Sequence, residues 1–209
     1  MIKHKVVVIG GGTFNHISCH LSLAAPAFGG TAKQLHQMFT NAGALESQLV
    51  LTKMADSSSK LITNDDVATY IQEILINDPT IKIVVMNAAI CDFEIENPGE
   101  GRLSSAKDYD VTLKGIRGKI LSIIRELRPD VIVAGFKTTH GASAATQLAR
   151  AALSIHDNDL DIVFANDVQT RSNLLLNRFL SVSRGTREEL LKKLVEETTT
   201  MYRSAAWFG

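Results

Sequence analysis

The residues best suited to chemistry lie where polar or glycine-rich segments follow buried apolar runs. Residues 10–13 (GGGT) follow the run at 6–9, and residues 87–93 (NAAICDF) follow the run at 81–86. Backbone N–H groups of a glycine-rich turn can face an anion without obstruction by a Cβ atom. Asn87 offers both a donor and an acceptor, and Asp92 could hold a ribose hydroxyl or, through water, a magnesium ion. These segments predict a nucleotide site that includes Gly11, Gly12, Thr13, Asn87, Ala88, Ala89 and Asp92. A merely tight turn and an Asx-type turn would explain the same residues.

Two later segments repeat this arrangement. Gly135 and Phe136 are followed by Lys137 after the run at 131–134, so an aromatic face for a base would lie beside a cation. Asn166 and its acidic neighbour follow the run at 162–165. A phenylalanine at a strand end is equally explained by the core, and a lysine by solvent. Both segments are therefore candidate parts of the same ligand site.

Other kinds of chemistry have weaker support. His16, Cys19 and His20 are spaced like half of a metal site on a helix, but no second group of ligands lies nearby in the sequence. We therefore predict no resident metal site. No Ser-His-Asp or Cys-His arrangement and no nucleophile-elbow motif can be identified, so covalent hydrolase chemistry is unsupported.

Composition indicates which partners to expect. The chain has 209 residues, with 22 Lys plus Arg against 22 Asp plus Glu, so no overall field favours nucleic acid or an anionic membrane. No apolar run approaches the ~20 residues that cross a bilayer. The two cysteines are far apart, and the chain opens without the apolar segment of a signal peptide. We expect a soluble, cytoplasmic protein.

The apolar pattern predicts the elements that would position these side chains. Continuous runs rich in β-branched residues are typical of strands buried on both faces, and helical patterns separate them. This alternation predicts an α/β, Rossmann-like three-layer fold with a mainly parallel central sheet, in one domain over residues 1–209. The predicted strands are residues 6–9, 49–51, 81–86, 131–134 and 162–165.

Two segments do not fit the alternation. Residues 93–113 are polar, contain Pro98 and two glycines, and show no helical period, which predicts an excursion after the third strand, such as a hairpin. Residues 15–30 are predicted to be a long loop, and loops of that length are more often functional than idle.

Taken in order, five segments resemble the phosphopantothenoylcysteine synthetase family, which forms the carboxy-terminal half of many bifunctional pantothenate-metabolism flavoproteins. No segment is specific alone, but their order and spacing match over most of the chain. The five segments are residues 11–13 (GGT), 87–93 (NAAICDF), 118–121 (GKIL), 133–137 (VAGFK) and 161–167 (DIVFAND).

The resemblance implies a CTP-dependent ligase of coenzyme A biosynthesis that acts with Mg²⁺ as a homodimer. In the family, the carboxylate of 4′-phosphopantothenate becomes an acyl-cytidylate, and the amine of cysteine then displaces CMP. The resemblance places residues 87–89 and Phe136 at the base and Asp92 at the ribose or the metal shell. It places Lys119 and Ile120 near the triphosphate, through backbone amides at a helix start. Asn166 belongs to the family's Ala-Asn-Asp ending.

Two catalytic candidates follow from charge. Arg102 stands where the family has a lysine, an exchange that keeps the charge but changes its geometry. Lys137 is a candidate replacement for lysines that the family carries elsewhere.

The sequence also departs from the family pattern. Where the family has Asn-x-Ser-Ser-Gly, this chain has residues 25–29 (APAFG), and the family's lysine pair before the last core strand matches residues 154–158, which contain no lysine. Three functions therefore stay open: a ligase with an altered acid substrate, a non-catalytic nucleotide-binding relative, and a nicotinamide or flavin oxidoreductase. The third rests only on the glycines at 10–12.

Overall fold

The computed structural model describes residues 3–116 and 120–205. Its strands are β1 (Lys5–Gly12), β2 (Phe14–Ser18), β3 (Leu21–Ala24), β4 (Glu46–Leu51), β5 (Ile81–Ala89), β6 (Phe93–Ile95), β7 (Leu113–Gly115), β8 (Ile132–Thr139), β9 (Ile162–Asp167), β10 (Asn173–Asn177) and β11 (Val182–Arg184). Its helices are α1 (Gly30–Ala42), α2 (Asn64–Asn77), α3 (Ile120–Leu127), α4 (Ala144–Asn158) and α5 (Arg187–Ala205).

A seven-stranded sheet runs through the centre in the order β11-β10-β9-β8-β5-β1-β4. Five neighbouring strands of this sheet are parallel, namely β9, β8, β5, β1 and β4. Strands β10 and β11 are antiparallel additions at one edge. The chain passes outward from β1 to β4 and then returns across β1 to β5. Open α/β sheets bind ligands at such a reversal, outside the carboxyl ends of the strands.

Helices cover both faces of the sheet, which confirms the predicted three-layer α/β fold. Successive β1 residues point to opposite faces, so Val6 and Val8 pack with α1 and α5, while Val7 and Ile9 pack with α2, α3 and α4. These β1 side chains are completely buried. Burial on both faces explains why the runs are continuous rather than alternating.

Side chains cap the starts of α2 and α5. The Thr63 hydroxyl accepts from the Asp66 N–H at 3.2 Å, and the Asp66 carboxylate accepts from the Thr63 N–H at 2.8 Å. Thr186 and Glu189 form the same reciprocal pair at the start of α5. Helix α1 differs, because its N-cap is Gly29 in the left-handed region, with φ 73°, and no side chain caps it.

The chain departs from the predicted path in three places. The glycine segment is the end of β1 rather than a turn, since Gly10 to Gly12 continue in register with Asn87 to Ala89 of β5. Most of residues 15–30 lie in or next to the antiparallel hairpin β2–β3 rather than forming one long loop. Strands β10 and β11 were not predicted.

The excursion at 93–113 does form a hairpin. Strands β6 and β7 pair in an antiparallel manner, from Phe93 opposite Gly115 to Ile95 opposite Leu113. The residues between these strands are without regular secondary structure. No helix in the described part of the chain is long and apolar enough to cross a membrane.

Candidate nucleotide-binding cleft

A cleft of about 830 Å³ opens at the carboxyl ends of β5, β8 and β9. The starts of α1, α3 and α5 border it, so three chain segments far apart in sequence meet there. It contains most of the site residues predicted from sequence, namely Asn87, Ala88, Ala89, Asp92, Ile120, Phe136, Lys137 and Asn166. The cleft therefore lies where ligands bind in open α/β sheets, outside the carboxyl ends of parallel strands.

The β5 end forms a wall with little side-chain bulk. Ala88 and Ala89 leave the backbone accessible to a flat group, and the half-buried Asn87 lies before them. Asp92 is exposed at the mouth of the cleft, where Glu94 adds a second carboxylate. This wall can accept a planar base, and its carboxylates can hold a hydrated divalent cation.

Buried hydrogen bonds fix this wall from behind. The Thr13 hydroxyl donates to the Asn64 side chain at 2.6 Å and accepts from the Cys91 N–H at 2.9 Å. The Asn64 amide also donates to the Cys91 carbonyl at 2.8 Å. Thr13 is completely buried, and it does not line the cleft. It therefore acts on the cleft by holding residues 89–91 in place.

The glycines of β1 pack against protein atoms. A Cβ atom on Gly10 would overlap Ala32 of α1, and one on Gly11 would overlap the Thr52 hydroxyl. Gly11 also has φ 103°, which L side chains rarely adopt. A Cβ atom on Gly12 would meet the Ala25 carbonyl oxygen, the Met54 sulfur at 2.7 Å and the Ala27 nitrogen at 2.8 Å. Neither Gly11 nor Gly12 lines the cleft, so their contact with a ligand stays a prediction.

Phe136 and two cations form another side of the cleft. Phe136 is half-buried and stacks on the buried Phe164, with ring centroids 5.3 Å apart and planes inclined by 27°. The Arg187 guanidinium lies 5.2 Å from the Phe164 centroid. Lys137 follows Phe136 and also lines the cleft. A base could stack on Phe136, and anionic groups could approach either cation.

Arg187 was not predicted as a site residue. Its Nη2 donates to the Thr31 hydroxyl at 2.7 Å, and burial lowers the pKa of its guanidinium. In the sequence, Arg187 only follows the N-cap of a helix. The single signal that could have found it is a cation beside a cap at the first turn of a helix, which is common in proteins without any ligand.

Two parts of the cleft carry the family departures. Pro26, Ala27 and Phe28 form an apolar rim, and the Phe28 side chain is 72% exposed. Ser154 and Asn158 line the cleft from α4, at the positions where the resemblance implies lysines. Asn158 is buried, and its side-chain oxygen has no hydrogen-bond donor among the described residues. None of these five lining residues carries a charge.

Asp167, at the end of β9, is used entirely by the protein. It is buried and accepts from the backbone N–H groups of Gly141, Ala142, Gln169 and Thr170. These donors, first of all the N–H of Thr170, hold the pKa of the carboxyl well below its usual range. Asp167 therefore fixes the loops after β8 and β9, and Val168 of the second loop lines the cleft.

The remaining predicted residues lie elsewhere. Arg102 is exposed between β6 and β7 and does not line the cleft. Lys119 lies outside the described residues. His16 is in β2 rather than on a helix, and no three potential metal-ligating side chains come together in residues 3–116 and 120–205.

The fold and the cleft define a three-layer, Rossmann-like α/β protein with a candidate ligand cleft at the carboxyl edge of its sheet. Residues 1–196 match the family model of the DNA/pantothenate metabolism flavoprotein C-terminal domain. The chain belongs to this family.

Sequence relatives agree with this assignment. The chain is 23% identical over 212 residues to the coenzyme A biosynthesis bifunctional protein CoaBC of Methanocaldococcus jannaschii, covering 96% of this chain and 52% of that protein. It is 28% identical over 126 residues to CoaBC of Thermococcus kodakarensis, covering 57% and 31%, respectively. The chain spans about half the length of the first of these relatives.

Solved structures agree with the fold. The DNA/pantothenate metabolism flavoprotein from Streptococcus pneumoniae has a TM-score of 0.78 and 20% identity, covering 96% of this chain and 100% of that one. A Cab2 variant in complex with phosphopantothenate-cysteine has a TM-score of 0.72 and 11% identity, covering 98% and 88%.

Proposed function

We propose that this chain is a ligase that joins an acid of the phosphopantothenate type to cysteine, using CTP and Mg²⁺, in coenzyme A biosynthesis. One observation carries the proposal: Asn87, Phe136 and Asn166, which come from three different strands, converge on one cleft in a member of this family. The names of the relatives, which concern coenzyme A biosynthesis, support the same pathway.

The proposed roles follow from the cleft. Asn87 and the small residues after it read the edge of the base, while Phe136 stacks on its face. Asp92 accepts from a ribose hydroxyl or binds a water of the metal shell. Magnesium would neutralise phosphate charge when bound, and Asp92 with Glu94 would be its carboxylate partners.

The proposed reaction has two steps. A carboxylate oxygen of the acid attacks the α-phosphorus of CTP, the bond to the β-phosphate breaks, and pyrophosphate leaves. The amine of cysteine then attacks the acyl carbon, an amide bond forms, and CMP leaves with the electrons of the broken C–O bond, while the amine proton passes to solvent. Lys137 would stabilise the negative charge that develops on oxygen in both steps.

Activity can be tested directly. The protein is incubated with CTP, Mg²⁺, 4′-phosphopantothenate and cysteine, and CMP, pyrophosphate and the conjugate are measured. Replacing CTP by ATP and omitting cysteine are the matched controls. Absence of all three products at high protein concentration would reject this activity.

A second candidate function is nucleotide binding without catalysis. The apolar rim at residues 25–29 and the neutral residues Ser154 and Asn158 favour it, since an intermediate-binding amide and phosphate-binding lysines are expected there. Loss of one preorganised amide donor would raise the barrier by ~2 to 4 kcal/mol. This function predicts that CTP raises the melting temperature while no product forms. We do not propose the oxidoreductase, because the three glycines that suggested it pack against Ala32, Thr52 and residues 25–27.

A further inference from the structure

Arg187 is a half-buried cation without a neutralising carboxylate among the residues that the structure describes. The two acidic residues that follow it are used elsewhere: Glu188 pairs with Lys192 at 2.7 Å, and Glu189 caps Thr186. Burial of an unpaired charge costs free energy, which is why the pKa of this guanidinium is lowered. An anion bound beside it would remove that cost.

The guanidinium is also held in a defined orientation. One face lies over the Phe164 ring, and Nη2 is fixed by the Thr31 hydroxyl. A guanidinium has five N–H donors in a plane, and the described residues supply an acceptor only for Nη2. The remaining donors are therefore available along its edge. A fixed planar fork of this kind matches the oxygens of a phosphate group.

The chain segment that lines the cleft beside Arg187, residues 26–31, contains no acidic residue. Arg187 lines the cleft together with residues 26–31, which lead into α1. Helix α1 has no acidic residue in its first turn and no side-chain cap, so no negative charge from that turn competes for the guanidinium. Among the residues that the structure describes, Lys137 is the second cation that lines the cleft.

We propose that Arg187 is a phosphate-binding residue of the cleft and supplies the positive charge that the lysines missing from residues 154–158 would otherwise supply. The phosphate belongs either to the nucleotide or to the acid. This inference rests on the proposed function for the identity of these two ligands. Independently of that function, we infer that phosphate binding depends on Arg187, the first residue of α5.

The test compares phosphorylated ligands with their unphosphorylated counterparts. Binding of CTP, cytidine, 4′-phosphopantothenate, pantothenate and pyrophosphate is measured by calorimetry for the wild type and for Arg187→Gln. Arg184→Gln is the matched control, because Arg184 is exposed in β11, does not line the cleft and carries the same charge. Thr31→Val, which removes the anchor but keeps the charge, is the second variant.

We expect Arg187→Gln to lower the affinity for one phosphorylated ligand by about 10- to 100-fold. The affinity for its unphosphorylated counterpart should equal that of the wild type. The ligand whose affinity falls, CTP or 4′-phosphopantothenate, is the one whose phosphate Arg187 binds. Arg184→Gln should change neither. Thr31→Val should lower the affinity for the same ligand by a smaller factor. This variant tests the site even if Arg187→Gln fails to fold.

Unchanged binding of both phosphorylated ligands and pyrophosphate in both variants would overturn the inference, as would equal weakening of each ligand and its counterpart. If the wild type binds neither cytidine nor CTP, the proposed function fails instead. In that case the result with pyrophosphate decides. If pyrophosphate binds the wild type but not Arg187→Gln, the phosphate site is upheld. If pyrophosphate does not bind the wild type, the inference is overturned.

Discussion

Gly12→Ala tests whether the glycine segment serves the cleft by packing or by contact with a ligand. A Cβ atom at residue 12 would overlap the Ala25 carbonyl oxygen and lie 2.8 Å from the Ala27 nitrogen. Both atoms belong to backbone, so they can yield only if residues 25–27 move. Overpacking of this kind costs about 1 to 3 kcal/mol, and each kcal/mol lowers the melting temperature of a chain of this size by about 2 to 4 °C.

The two interpretations predict different pairs of results. If Gly12 acts by packing, Gly12→Ala lowers the melting temperature and also weakens nucleotide binding, because the displaced segment forms the rim of the cleft. If Gly12 touches the nucleotide, binding is lost while the melting temperature is unchanged. Differential scanning calorimetry and calorimetric titration of CTP measure both quantities.

Gly115→Ala is the control, because a Cβ atom on Gly115 of β7 would meet nothing within 4 Å. It should leave the melting temperature and the CTP affinity as in the wild type. A change in the free energy of unfolding below ~0.5 kcal/mol would shift the melting temperature by about 1 to 2 °C or less. A Gly12→Ala protein that melts within about 1 °C of the wild type would therefore refute the packing interpretation.

Three further predictions concern the aromatic pair, an ion pair and assembly. Phe136→Leu keeps apolar volume but removes the ring, so cytidine affinity should fall by ~1 to 3 kcal/mol in calorimetry; unchanged affinity would remove Phe136 from the base site. Lys5 and then Thr80 lower the pKa of Asp78 to about 2, so its contribution to stability is present above about pH 4 and lost as the pH falls toward 2. Asp78→Asn should therefore lower the free energy of unfolding by about 1 kcal/mol at pH 7, and denaturant titrations should show this difference shrinking toward pH 2; a difference independent of pH contradicts the ion pair. The family resemblance predicts a homodimer, so light scattering should give twice the chain mass of 22.8 kDa, and a monomer at all concentrations would contradict it.

The sequence predicts the parallel core of the fold well, because burial on both faces produces a signal that needs no tertiary information. Residues 81–86 and 162–165 lie within β5 and β9. Strands β2, β10 and β11 gave no such signal. In β11, Val182 and Arg184 are exposed, and β10 has only Leu174 to Leu176 as its buried stretch. In β2, polar residues such as Asn15 and His16 alternate too weakly to distinguish a strand from a loop.

Several predicted residues that follow buried runs do line the cleft, whereas the contact between Thr31 and Arg187, which joins distant segments, was not predicted. Asn87, Phe136 and Asn166 lie in the carboxyl-terminal halves of β5, β8 and β9, and the topology alone brings these halves together. The glycines of β1 show the opposite case. Glycine is required equally where a ligand approaches the backbone and where a helix or a loop does, and the sequence does not distinguish these causes.

The hydrogen bond between Thr31 and Arg187 joins residues 156 positions apart. During synthesis, the nascent chain therefore completes β5, β8 and β9 before the residue that binds Thr31 has been made. A chain that ends before α5 would keep Phe136 but lack both the guanidinium and the helix that packs over Phe164. Nascent chains released at successive lengths should consequently acquire affinity for cytidine and for pyrophosphate at different lengths, with the second appearing only after α5 has docked.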